Sequence, residues 1–106
     1  MVNIDAQVLG KLPPHSLEAE QSVLGAMIVD KEAINTAVEI IMPDDFYKEA
    51  NKEIYETILE LYNKNEPVDL ITLSEEMKRR NTLDSVGGIG YLTSLSGGVA
   101  TTANVE

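Results

Sequence analysis

The residues of this chain that could do chemistry are not spaced as a catalytic or metal site requires. His15 is the sole histidine and there is no cysteine, so neither a histidine or thiolate metal site nor a nucleophile–histidine pair has support. The pairs Asp44-Asp45 and Glu75-Glu76 could act as acid and base. Adjacent carboxylates at a solvated helix start are nearly always surface charge, and we predict no catalytic residue and no metal site.

Two glycine motifs are also incomplete. A phosphate-binding loop needs glycine, four residues, and then Gly-Lys-Ser/Thr. Gly10-Lys11 lacks the hydroxyl residue that should follow, and Asp5 stands in place of the first glycine. Gly88 and Gly90 form a broken dinucleotide fingerprint with no strand before it. We predict that this chain binds no nucleotide cofactor.

The charge of the chain argues against direct binding to DNA. Eighteen acidic and eight basic side chains leave a net charge of −10 over 106 residues, and such a surface repels phosphate backbones. The one basic cluster, Lys78-Arg79-Arg80, ends a predicted helix in which Glu75 and Glu76 stand four residues before the two arginines. We predict a solvated helix end there, with an anionic contact as the alternative.

One stretch of sequence organises the predicted elements. Pro13 and Pro14 stop any preceding helix, and Ser16 can cap the next one. Glu18 and Glu20 place negative charge at the positive end of that helix. Apolar residues then recur at helical spacing along the chain to Ile28. We predict that this helix is the one against which the rest of the chain packs.

The remaining elements are also predicted to be helical. The second helix is capped by Asp30 and ended by Pro43, a short helical turn follows at 43–47, and a longer helix covers about 49–63. Val68 to Leu73 could be a strand on composition, but Thr72 and Glu75 form a capping-box pattern that favours a helix running to Arg80. A last short helix is predicted around 89–95, closed by Gly97-Gly98.

The tyrosines of the third predicted helix allow two interpretations. They could form a stacking platform for bases, as in proteins that bind single strands. Four glutamates surround them and no arginine is interleaved, so we predict instead tyrosines at the core edge with hydrated hydroxyl groups.

Together these patterns predict an all-α fold, a compact orthogonal bundle of about five to six short helices. Residues 1–11 are predicted to be a flexible N-terminal arm, and 12–106 a single domain. No apolar run approaches a membrane span and no signal peptide is recognisable, so a cytoplasmic protein is expected. The residues alone therefore indicate an acidic, helical, non-catalytic interaction module.

Five blocks of sequence add a family resemblance. In order they read PPHSLEAEQSVLGAMI, DDFYKEANKEIYETILEL, PVDLITLSEEMKRR, VGGIGYLTSL and TTANVE, and they span Leu12 to Glu106. This series resembles the N-terminal domain of the bacterial replicative DNA helicase of the DnaB type. Residues 1–11 carry no part of the resemblance.

The resemblance implies a hexameric motor that unwinds DNA at the replication fork. Its ATP and magnesium ion are implied to bind in a C-terminal domain that this sequence does not contain, and no cofactor is implied for residues 12–106. The N-terminal domains are implied to form a collar of three dimers through a helical hairpin that follows the TTANVE-like block. The chain is accordingly expected to stop before that hairpin and to be mostly monomeric in dilute solution.

The resemblance also implies partners and site residues. The implied partners are the C-terminal domain of primase, the other helicase subunits and a helicase loader, with no direct nucleic-acid contact and no membrane. Glu18 and Tyr91 match the primase-facing positions, although Glu18 could equally be helix-dipole charge and Tyr91 a core or rim aromatic. Two alternatives stay open: a helicase-binding domain of primase, and a helix-turn-helix DNA binder built on Leu70 to Leu95.

Overall fold

The computed structural model describes residues 16–104, with side chains described through residue 97. Within that range the backbone forms five helices and one 3₁₀ turn, and it contains no strand. The helices are α1 (Leu17–Val29), α2 (Lys31–Ile40), α3 (Glu49–Asn63), α4 (Leu70–Arg79) and α5 (Gly88–Asn104), and the 3₁₀ turn is Pro43–Asp45. The all-α prediction is confirmed. The predicted arm at residues 1–11 and the two prolines lie outside the described residues.

Side-chain caps define where three helices begin. The Ser16 hydroxyl accepts a hydrogen bond from the Ala19 N–H at 3.3 Å, and the Asp30 carboxylate accepts from the Glu32 N–H at 3.0 Å. Both predicted caps are thus confirmed. The start of α4 was predicted wrongly, because its capping box joins Asp69 to Thr72 and does not begin at Thr72. The helix therefore begins three residues earlier, and the strand alternative for this stretch is excluded.

Left-handed asparagines follow two of the helices. Asn65 after α3 and Asn81 after α4 have φ angles of 60° and 61°. In each case the next residue donates its N–H back to the final turn, from Glu66 to the Leu61 carbonyl and from Thr82 to the Met77 carbonyl. This pattern satisfies carbonyl groups that a helix end leaves free.

The last helix is longer than the sequence pattern predicted. Gly97 and Gly98 were expected to close it, yet both lie in helical backbone and α5 continues to Asn104. A glycine ends a helix when the chain turns to positive φ there. Among residues 16–104 the glycines with positive φ are instead Gly87 and Gly88, at the start of α5.

The buried core is aliphatic and centred on α1, as the sequence predicted. Helix α1 contacts α2, α3 and α5, and its Val23, Leu24 and Met27 are fully buried. Phe46 fills the core from the loop after the 3₁₀ turn, with 5% of its surface exposed. The other large side chains with less than 2% exposure include Ile34, Ile41, Ile54, Tyr55, Ile58, Leu61, Leu73, Met77 and Leu92.

The overall dimensions are those of one compact domain. The radius of gyration is 12.7 Å and the extents are 35 × 33 × 27 Å, close to the value expected for about 100 folded residues. Within the described residues, no helix has the length and apolar character needed to cross a membrane.

Candidate docking surface

The carboxylate of Glu20 lies inside the domain, with none of its surface exposed. It accepts hydrogen bonds from the Tyr47 N–H at 2.6 Å, the Lys48 N–H at 3.4 Å and the Asn51 side-chain amide at 2.8 Å. The interpretation of Glu20 as charge that complements the dipole of α1 is therefore incomplete. Its carboxylate crosses to α3 and satisfies the amide groups at the start of that helix, where Lys48 provides no side-chain cap.

The Glu20 contacts continue as a chain of hydrogen bonds to Tyr91 on α5. The Asn51 side chain is fully buried, and its carbonyl oxygen accepts from the Tyr91 hydroxyl at 2.6 Å. The same hydroxyl accepts from the Gln21 side-chain amide at 3.4 Å. The four side chains thus join α1, α3 and α5, and no buried polar side-chain atom among the described residues lacks a partner.

Lys48 lies at the outer side of this network. Its ammonium nitrogen is 4.8 Å from the centroid of the Tyr91 ring, a geometry in which a cation is attracted to the face of the ring. The adjacent Tyr47 leaves 62% of its surface exposed. We call the surface formed by Glu18, Gln21, Tyr47, Lys48 and Tyr91 the docking surface.

Both of the positions that the resemblance singled out lie on the docking surface. Glu18 is exposed in the first turn of α1, one helical turn before Gln21 and on the same side of the helix. Since Gln21 donates to the Tyr91 hydroxyl, Glu18 and Tyr91 face the same region of the domain. Tyr91 is a half-buried rim aromatic that packs against the core, and its hydroxyl is engaged inward.

Reasoning from sequence missed Gln21 and Lys48 as members of this surface, and Asn51 as the buried residue that supports it. They belong to α1, to the residue before α3 and to α3, and Tyr91 lies 40 residues further along the chain from Asn51. No local pattern connects such positions. The one available signal was that Glu20 stands three residues after Leu17 and four before Leu24, within the apolar spacing of α1.

The tyrosines of α3 are core and rim residues, as predicted, but one hydroxyl differs from the expectation. Tyr55 is fully buried, and its hydroxyl donates to the Ile41 carbonyl at 2.6 Å and lies 3.3 Å from the Ala37 carbonyl. The prediction of a hydrated hydroxyl is therefore wrong for Tyr55. Its burial raises the pKa of the hydroxyl group to about 12. Tyr62 keeps a surface position and donates to the Asn35 side chain at 2.8 Å.

The basic cluster at the end of α4 is engaged within the domain. Arg79 pairs with Glu76 at 2.6 Å, three residues before it, and this hydrogen bond lowers the pKa of the Glu76 carboxyl group. Arg80 donates to the Thr57 hydroxyl at 3.3 Å. The predicted helix-end role is confirmed for these arginines, although the pairing spans three residues where four were expected.

An open groove of about 1040 Å³ lies between the start of α2 and the loop after α3. Val29, Tyr62 and Pro67 are among its lining residues. Its two aspartates, Asp30 and Asp69, already cap helices. No group of three or more potential metal ligands occurs among the residues that the structure describes.

Comparison with known proteins places these features in a family. The model of the DnaB-like helicase N terminal domain matches residues 12–106. The replicative DNA helicase DnaC of Bacillus subtilis is 45% identical over 96 residues, which are 91% of this chain and 21% of the relative. The replicative DNA helicase DnaB of Geobacillus stearothermophilus is 44% identical over 96 residues, again 91% of this chain and 21% of the relative. The chain thus spans about a fifth of the length of these relatives.

A solved structure gives the same assignment. The crystal structure of the N-terminal domain of DnaB helicase from Mycobacterium tuberculosis aligns with a TM-score of 0.77 at 45% sequence identity. The alignment covers 79% of this chain and 61% of that one. By sequence and by structure, this chain belongs to the family of DnaB-like helicase N-terminal domains.

Proposed function

We propose that this chain is the N-terminal domain of a hexameric, ATP-dependent replicative DNA helicase of the bacterial cytoplasm. In this proposal the domain is non-catalytic. It contributes to the N-terminal collar of the hexamer and docks the C-terminal domain of primase, while ATP and magnesium bind in a separate C-terminal domain. A helicase loader is a further partner of the same protein.

The comparisons support the helicase part of this proposal. The relatives that match most of this chain are named replicative DNA helicases, and the family model that matches is that of the helicase N-terminal domain. These matches favour the helicase over the helicase-binding domain of primase, which was the nearer alternative.

The docking surface is the observation that supports the proposal of primase docking. The exposed Glu18 lies on the side of α1 that also carries Gln21, whose side chain bonds to the Tyr91 hydroxyl. The exposed Tyr47 immediately precedes Lys48, which contacts the Tyr91 ring. Partly exposed aromatic side chains flanked by charge are typical of residues that dominate protein–protein affinity. The net charge of −10 suits a partner with a basic surface.

A calorimetric titration with the C-terminal domain of the same organism's primase tests this function. We expect the wild-type chain to bind, and the Glu18→Ala, Tyr91→Ala double variant to bind at least about 30-fold more weakly, as for a hot-spot pair. Tyr62→Ala is the matched control, because it removes a tyrosine from α3 outside the docking surface, and it should bind like the wild type.

Circular dichroism of each variant checks that the helices persist. Absence of binding by the wild type contradicts primase docking by this chain. Equal binding by the wild type and the double variant would leave docking intact but remove Glu18 and Tyr91 from the site.

A further inference from the structure

We infer that Lys48 is the point on the docking surface where a carboxylate side chain of the partner binds. The inference rests on the proposed docking of primase and adds the chemistry of one contact. Glu18 supplies negative charge for basic groups of the partner, whereas Lys48 supplies a single fixed positive charge within the same surface.

The first argument is that the Lys48 ammonium group has no carboxylate partner among residues 16–97. The ion pairs in that part of the chain are Lys52 with Asp44, Lys64 with Glu60 and Arg79 with Glu76. Lys48 instead contacts the Tyr91 ring, a contact that uses no carboxylate and leaves donors of its ammonium group for a further partner.

The second argument is that Lys48 is held in place before any partner arrives. The Glu20 carboxylate fixes the backbone N–H groups of Tyr47 and Lys48, and Asn51 fixes the ring over which the ammonium lies. An exposed lysine such as Lys31 loses considerable side-chain freedom when it forms an ion pair. Because Lys48 is already half-buried and oriented, less of that entropy is lost on binding.

The third argument concerns the charge of the surroundings. Acidic side chains outnumber basic ones by 18 to 8 in this chain, so a carboxylate on the partner is repelled by most of the surface. A single oriented cation beside the Tyr91 ring is a favourable place for an aspartate or glutamate with apolar neighbours. Such a contact fixes the relative orientation of the two proteins, while basic groups of the partner provide the remaining electrostatic attraction.

The test compares the wild type with Lys48→Met, Lys48→Arg and Lys31→Met in titrations with the primase C-terminal domain. Lys48→Met keeps the length and the backbone N–H but removes the charge, and it should weaken binding about tenfold at low salt. Lys31→Met makes the same change in net charge at an exposed lysine outside the docking surface, and it should bind like the wild type.

The salt dependence separates a charge contact from a general packing effect. The difference between the wild type and Lys48→Met should shrink as ionic strength rises, because salt screens the pair. Lys48→Arg keeps the charge and the contact with the ring, and it should recover most of the affinity lost in Lys48→Met.

The outcomes distinguish this inference from the proposed function. If the wild type does not bind primase, the proposed docking is contradicted and this contact with it. If the wild type binds and Lys48→Met binds equally well, docking stands and the contact is overturned. A loss in Lys48→Met that is independent of salt, or is not recovered in Lys48→Arg, also overturns it.

Discussion

The hydroxyl group of Tyr55, in the middle of α3, forms a hydrogen bond with the backbone at the end of α2. The group donates to the Ile41 carbonyl at 2.6 Å, just after α2, and its ring packs against Phe46 with centroids 4.9 Å apart. A carbonyl at a helix end has no partner within its own helix. The tyrosine therefore satisfies a buried acceptor that an apolar residue of the same shape would leave unpaired.

This arrangement predicts the effect of Tyr55→Phe on stability. The change keeps the ring but leaves the Ile41 carbonyl without its donor, so the free energy of unfolding should fall by about 1 to 3 kcal/mol at neutral pH. Urea denaturation followed by circular dichroism measures it. Tyr62→Phe is the matched control. The hydrogen bond from the Tyr62 hydroxyl to Asn35 lies at the surface, so its loss should lower the free energy of unfolding by less.

The same substitution should change how stability depends on pH. Burial raises the pKa of Tyr55 to about 12 in the folded chain, whereas an unfolded tyrosine titrates near 10. The unfolded state therefore loses its proton first, and the stabilisation from neutral Tyr55 is complete below about pH 10 and is lost as pH rises toward about 12. The advantage of the wild type over Tyr55→Phe should narrow across that range, and a constant difference would contradict the assignment.

At the scale of single residues, sequence predicted apolar burial better than polar burial. Ile54 and Ile58 follow from periodicity, because burial of an apolar side chain requires only that it lie on the correct face. Glu20 and Asn51 are buried because groups more than 25 residues away supply their partners. That information belongs to the tertiary structure, so the docking surface could be predicted only in part.

Among the elements, α4 shows why helix boundaries are harder to predict than helices. Two residues of α4's sequence, Thr72 and Glu75, match a capping box, but Asp69 provides the cap that the structure uses. The Thr72 hydroxyl donates to the Pro67 carbonyl at 2.8 Å, and this fixes the turn that leads into the helix. The sequence offers both Asp69 and Thr72 as helix caps, and the turn contacts of the folded chain determine which one is used. Sequence alone does not rank the two.

The cap of α4 gives a prediction at this scale. Asp69→Ala removes the acceptor for the Thr72 N–H, which lies 2.8 Å from the Asp69 carboxylate, and should lower the free energy of unfolding by about 1 kcal/mol. Glu75→Ala is the control, because it removes an exposed carboxylate from the same helix. Chemical denaturation of both variants measures the difference, and equal stabilities would show that the cap contributes nothing.

For the whole molecule, composition and periodicity were sufficient to predict the fold class. Five amphipathic or buried helices, with α1 in the central position, follow from apolar spacing and from stop signals such as Pro43. The family follows from blocks of sequence spread over the chain, and the comparisons confirm it. The sequence patterns did not predict that the loop before α3 would meet α1 and α5, which creates the docking surface.

The charge of the whole molecule argues against the remaining alternative, a helix-turn-helix DNA binder built on Leu70 to Leu95. Helices α4 and α5 are present there, but Arg79 pairs with Glu76 and Arg80 donates to Thr57. Both arginines of the main basic cluster therefore have a partner within the domain. With a net charge of −10, the molecule as a whole repels a duplex.

We therefore expect no stable complex between this chain and duplex DNA at moderate salt in a gel-shift assay. Since affinity for phosphates falls steeply with salt concentration, the assay should be repeated at low salt, where any weak association would be strongest. An Arg79→Ala, Arg80→Ala variant is the control that would locate such binding at the end of α4. A tight complex that persists as salt rises would contradict the charge argument and favour sequence-reading contacts by α4 or α5, because base contacts depend less on salt than phosphate contacts do.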